Sequence, residues 1–145
     1  KFYQYVGVAY VNSLFENLNI VNGVNTGLIL GYQEVNQWGA RFEYLVPVTS
    51  SYTNTIEIDW TGYSLSLVRS IELGSLLSVS LRGGYADYDI DVASSTTVAS
   101  GGESGFEYGI DVLFNISKSL FISGGYSDRA IDELDTFDVS VGYKL

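Results

Sequence analysis

The segment that most restricts the fold is the closing one, Phe137-Asp138-Val139-Ser140-Val141-Gly142-Tyr143-Lys144-Leu145. Its odd positions are all apolar and its even positions are small or polar. A strand sends successive side chains to opposite faces, whereas a helix gathers one face at a spacing of about 3.6 residues. Strict alternation therefore predicts a β-strand with one wholly apolar face. The same pattern recurs along the chain, so the architecture turns on which face looks outward.

Eight such strands are expected, over about Phe2–Val11, Thr26–Gln33, Gln37–Val48, Thr55–Arg69, Leu76–Tyr88, Phe106–Phe114, Leu120–Ser127 and Phe137–Leu145. Pro47 has no N–H to give a ladder, so it belongs near a strand end or a bulge. Short turns are expected at Glu34–Asn36, Ser70–Ser75 and Asn115–Ser119. Longer connections are expected at Asn12–Asn25, Thr49–Asn54, Asp89–Gly105 and Asp128–Thr136. Short and long alternate, which puts three short turns at one end and four longer loops at the other. Ile56-Glu57-Ile58-Asp59-Trp60 has the opposite polarity to the rest of its strand and reads as standing clear of a membrane.

Alternation alone also suits a soluble, lipocalin-like carrier with its apolar face inward. Three features oppose that. The polar faces are built mostly of Gly, Ser and Ala, which a narrow closed lumen requires, rather than the Thr, Lys, Glu and Arg of a solvated sheet. An eight-stranded barrel has little room inside, and eight faces of large apolar side chains would overfill it. Tyr10, Tyr32, Trp38, Tyr85, Phe106 and Tyr143 lie near strand ends on the apolar faces, where a bilayer interface favours aromatics. In hydrocarbon every backbone N–H and C=O must be paired, so a spanning sheet has to close on itself. A tilted strand of about ten residues crosses, and these strands have that length. The expected fold is one all-β domain over residues 1–145, an eight-stranded antiparallel up-and-down transmembrane β-barrel with short periplasmic turns and longer extracellular loops.

Composition narrows the function. The chain is 46% hydrophobic, yet no run approaches the roughly 20 apolar residues of a spanning helix. Twelve Tyr, seven Phe and a single Pro favour strands. A net charge of −10 argues against nucleic acid as a partner. Cys and His are both absent, which removes thiolate chemistry and the commonest general base and metal ligand. No basic, apolar signal segment is present, and Phe2-Tyr3 already reads as strand, as expected of a trimmed chain.

Three stretches, Trp38-Gly39-Ala40-Arg41-Phe42-Glu43-Tyr44, Leu81-Arg82-Gly83-Gly84-Tyr85 and Val139–Leu145, resemble strands of the small eight-stranded outer-membrane barrels of the OmpA/OmpX type. The resemblance covers nearly the whole chain. The closing strand looks like the C-terminal signal such proteins present to their insertion machinery, but it ends in Leu145 where Phe is usual. The resemblance implies a monomeric barrel integral to the bacterial outer membrane, surrounded by lipid and lipopolysaccharide. It does not select a role, because this scaffold serves adhesion, envelope anchoring, lipid enzymes and small-solute passage.

The sharpest candidate site is a set of lumen-facing charges: Arg41, Glu43, Arg82, Glu107, Asp111, Asp138 and Lys144, with Gln33 beside them. Buried charges are costly unless paired, so a salt-bridge network plugging the lumen is expected. The alternatives are a gated ion path or a narrow conduit for small solutes or apolar compounds. Two acidic groups, Asp87, Asp89 and Asp91 in one loop and Asp132 and Asp135 in another, are weak candidates for calcium; solvated loop charge is the simpler reading. Leu14, Phe15, Leu18 and Ile20 form an apolar stretch in the first loop that would suit contact with a protein partner. Catalysis has little support, since barrel lipases and deacylases of this size rely on His. Neither enzyme activity nor a cofactor is expected, and the working surface is placed in the loops, for adhesion, envelope integrity or anchoring.

Overall fold

A computed structural model describes residues 2–16, 20–94 and 96–145. The strands are β1 (Phe2–Phe15), β2 (Val24–Glu34), β3 (Trp38–Thr49), β4 (Ser51–Tyr52), β5 (Ile56–Glu72), β6 (Leu77–Ser94), β7 (Val98–Asn115), β8 (Leu120–Asp128) and β9 (Leu134–Lys144). All form one antiparallel sheet. Each long strand pairs with its neighbours in sequence, β9 pairs back onto β1, and β3 pairs with β5. The eight long strands therefore close into an up-and-down barrel, and β4 is a two-residue addition against Ile58 and Glu57 of β5.

Side-chain parity follows the alternation in the sequence. Phe42, Leu65, Val79 and Ile110 all point away from the axis, while Arg41, Ser64, Ser66 and Asp111 point inward and are buried. The outer surface carries an aliphatic band that includes Val8, Leu30, Leu67, Leu81, Val112 and Val141, all exposed. Phe2, Tyr32, Trp38 and Tyr143 rim it at the end of the short turns. Tyr10, Tyr44, Tyr63, Tyr85, Tyr108 and Tyr126 rim it at the other end. So large a contiguous apolar surface is unstable in water and suits lipid, with aromatics at both interfaces.

Pro47 lies opposite Asn25, next to a register shift between Val24 and Asn25, so its missing N–H falls at a bulge near the strand end. The short turns are residues 35–37, 73–76 and 116–119. In the first of them Asn36 adopts a left-handed conformation (φ 56°), which Asn tolerates well, and its Oδ1 accepts from the Glu72 amide at 2.7 Å.

One expected loop is instead largely strand, and another is strand at its ends. The stretch Asp89–Gly105 extends β6 and β7 into a long hairpin, joined only by residues 95–97. Its Gly and Ser look like loop locally, but Asp89–Ala93 and Val98–Gly105 all have partners across the ladder, such as Ser100 for Asp91. Similarly β1 runs on to Phe15, because Asn12–Phe15 pair with Leu134–Phe137 of β9. Leu14 is thus a strand residue on the outer surface, Phe15 is half-buried against the barrel interior, and Ile20 is half-buried. Of the apolar stretch expected to meet a partner, Leu14 is exposed, Phe15 and Ile20 are half-buried, and Leu18 lies outside the described residues.

Candidate functional site

The barrel interior is layered. Nearest the loop end is an apolar layer of Val11, Leu45, Trp60, Tyr88, Ile131 and Leu134, all buried. Trp60 has the inward parity of Gly62 and Ser64, so the reversed polarity of Ile56–Trp60 turns an indole into the barrel mouth. There its Nε1 donates to Ser13 Oγ at 2.9 Å, and its ring meets Tyr88 edge-on with centroids 5.3 Å apart. Tyr88 in turn donates to Glu107 Oε1 at 2.7 Å, tying the apolar layer to the charges beneath it.

The charged layer crosses the whole barrel. Arg82 Nε donates to Asp111 Oδ2 at 2.7 Å, and Arg82 Nη2 donates to Ser127 Oγ at 2.6 Å. Arg41 Nη2 donates to Glu43 Oε2 at 2.8 Å, while its Nη1 lies 3.5 Å from Asp111 Oδ2. Two glycines make room: a Cβ at Gly109 would fall 2.7 Å from Arg82 Cζ, and one at Gly125 would overlap the Asp111 carboxylate.

Sequence reasoning missed the residue at the centre of this layer. Arg129, which the chain order puts in an acidic loop, dips back into the barrel with Ile131 and Leu134, and its side chain is wholly buried. Its Nη1 donates to Glu43 Oε1 at 2.6 Å and to Glu107 Oε2 at 3.2 Å, and its Nε donates to Thr136 Oγ1 at 2.8 Å. Glu133, in the same connection, adopts a left-handed conformation (φ 60°), a sparsely populated state for glutamate. One signal was available: the inward positions supply Glu43, Glu107, Asp111 and Asp138 but only Arg41 and Arg82 as deep cations, which calls for another.

Lys144, expected in the network, lies apart from it. Its Nζ donates to Asn115 Oδ1 at 2.8 Å and sits 4.4 Å from the centroid of Tyr3, at the short-turn end. Gln33 also stays outside, donating to the carbonyls of Glu34 and Gln37. Asp138 is present but loosely held. Neither of its oxygens has a hydrogen-bond partner among the described residues, and the nearest guanidinium nitrogens, Arg82 Nη2 and Arg129 Nη2, are 3.7 and 3.9 Å away. Below the charges, Tyr3, Tyr5, Val68, Leu113 and Phe121 narrow the lumen around a cavity of about 30 Å³, large enough to hold ordered water.

The acidic groups are not gathered into a metal centre among the described residues. Asp87, Asp89 and Asp91 line the outer surface of β6. Asp135 accepts from the Tyr126 hydroxyl, and the Asp132 amide donates to Glu103 Oε2 at 2.7 Å. Charge is polarised along the barrel. Apart from Arg41, Arg82 and Arg129 in the lumen, the described cations are Arg69, Lys118 and Lys144, all at the short-turn end. Carboxylates alone occupy the loop end, from Glu16 and Glu57 to Asp132 and Glu133.

Known structures share this architecture. Ail, the attachment invasion locus protein of Yersinia pestis, superposes with a TM-score of 0.66 at 17% identity, covering 99% of this chain and 97% of that one. Neisserial surface protein A gives 0.70 at 13% identity, covering 99% and 96%. The N-terminal β-barrel domain of Pseudomonas aeruginosa OprF gives 0.70 at 12% identity, covering 97% of each chain. No curated protein matches the sequence. The model of the outer membrane protein beta-barrel domain matches residues 1–144. With its closed sheet and lipid-suited exterior, the chain belongs to the outer membrane protein beta-barrel domain family, and its place is the bacterial outer membrane.

Proposed function

We propose that this barrel is a closed, non-conducting interaction protein that works through its loop end, held outside the cell, with the short turns in the periplasm. The observation that carries this reading is the Arg129 guanidinium, drawn into the barrel and bonded to Glu43 and Glu107 beneath Trp60 and Tyr88. Opening a water path would require breaking charge-assisted bonds in a low-dielectric interior, where an unpaired ion is costly. With the axis filled, function passes to the rim. There the surplus of carboxylates favours cationic partners and disfavours polyanions. Ail has been crystallised with the heparin analogue sucrose octasulfate; a ligand of that charge would be repelled here. Planar-bilayer recording of the purified barrel tests the closed state. No steady conductance is expected, and a sustained open level would overturn the reading.

A further inference from the structure

The short turns differ in what they present. Turn 35–37 is Val-Asn-Gln, and at the loop end the tips Thr53-Asn54-Thr55 and Thr96-Thr97 are polar. Turns 73–76 and 116–119 instead carry Leu73, Leu76 and Ile116, each more than half exposed. Tyr143 of the aromatic rim pairs with Leu120, and Ile116 lies in the turn beyond that pair. The apolar exterior therefore runs on past the rim here. Such tips suit immersion among lipid headgroups rather than water.

A groove lies between these two turns and the end of β9. Leu76 and Ile116 line it together with Glu72, Asn115, Lys118 and Lys144. Lys118 is exposed in its turn. The Lys144 ammonium is fixed by Asn115 Oδ1 at 2.8 Å and by the Tyr3 ring. An ammonium has three donors, and Asn115 takes one of them. None of the ion pairs among the described residues involves Glu72, Lys118 or Lys144. Two cations and one carboxylate thus share an apolar shelf, and none is paired with another.

We propose that this groove seats the headgroup of a phosphoethanolamine-bearing phospholipid of the adjoining leaflet. The phosphate lies between Lys118 and Lys144, the ammonium meets Glu72, and the acyl chains run back over Leu76 and Ile116 to the aliphatic band. The charge pattern selects this headgroup. Phosphate accepts charge-assisted bonds from both lysines. An anionic headgroup without an amine would leave Glu72 unpaired, and a quaternary ammonium has no N–H to donate to it. Exposed ion pairs are individually weak, so selectivity needs all three charges, and the apolar shelf favours a lipid over a soluble phosphate. The reading that the short turns face the periplasm makes this the periplasmic leaflet; the closed lumen plays no part.

The test titrates the whole barrel, in neutral detergent, with phosphatidylethanolamine, phosphatidylglycerol and phosphatidylcholine of matched chains. Native mass spectrometry counts the retained lipid. The ethanolamine lipid should be retained roughly threefold or more over each of the others. Glu72→Gln should erase its advantage over phosphatidylglycerol, and Lys118→Gln should weaken retention of both. Both positions are exposed, and unchanged thermal unfolding checks that the variants fold. In nanodiscs doped with the ethanolamine lipid, amide NMR signals should shift at Ser75–Leu76 and Asn115–Lys118 and not at Thr53–Thr55. Equal retention of the three lipids, or a preference that survives both substitutions, overturns the proposal. So does stronger retention of phosphatidylglycerol, or capture of a soluble muramyl peptide in place of lipid. Orientation is read separately, since the chain has no Cys. On intact cells Thr96→Cys should react with an impermeant maleimide, and Gln37→Cys should not. The reverse labelling sinks the orientation reading alone, and the expected labelling without a lipid preference sinks this proposal alone.

Discussion

Arg129 and Glu43 meet across the barrel at 2.6 Å, although 86 positions separate them in sequence and β8, which leads into Arg129, lies across the ring from β3, which carries Glu43. The contact makes the β8–β9 connection part of the interior. Removing one partner of such a pair leaves the other charge stranded. Arg129→Ala is expected to destabilise the barrel by about 3–5 kcal/mol. Arg129→Met with Glu43→Gln should recover part of that loss. Urea titrations in detergent micelles, arranged as a double-mutant cycle, measure the coupling; additive losses would mean the two side chains act independently.

Asp111 and Asp138 should respond differently to the same chemical change. Three guanidiniums, of Arg41, Arg82 and Arg129, face four carboxylates, of Glu43, Glu107, Asp111 and Asp138. Asp111 accepts from Arg82 at 2.7 Å, whereas Asp138 accepts no hydrogen bond among the described residues. Asp138→Asn should cost less than about 1 kcal/mol, and Asp111→Asn about 3 kcal/mol or more. Equal losses in the same titration would show that the surplus carboxylate lies elsewhere.

Gly125 is a packing requirement of the network rather than a turn. A methyl group there would collide with the Asp111 carboxylate, which cannot withdraw without leaving Arg82. Gly125→Ala should destabilise by about 1–3 kcal/mol. Gly101, where an added Cβ meets nothing within 4 Å, serves as the control. Equal thermal stability of the two alanine variants would refute the steric account.

The outward parity of Leu65 and Leu81 makes a sharp prediction for lipid. Leu65→Arg or Leu81→Arg should each reduce folding stability in phospholipid bilayers by roughly 2–4 kcal/mol if the site lies near the midplane. Asp87→Lys, at the aromatic rim opposite Tyr63, should change it little, because the cost of a charge falls to about 0–1 kcal/mol near the interface. Refolding into vesicles across a urea series reads both effects, and a tolerated arginine at Leu65 would place that face in water.

How much of this was legible in the sequence depends on the range of the interaction involved. Alternation at Phe137–Leu145 and Trp38–Tyr44 determined which side chains face lipid and which face the lumen, because the period of two is a property of each strand alone. Closure followed as well, since hydrocarbon forbids an open edge. What only the tertiary structure decided is non-local. Asp89–Gly105 has the composition of a loop, yet it is strand because each half is the other's ladder partner. Arg129 sits in a stretch that reads as solvated, yet it is drawn inward by carboxylates contributed by β3 and β7. Local residue patterns fix the direction of a side chain; only the closed ring fixes which distant charge it meets.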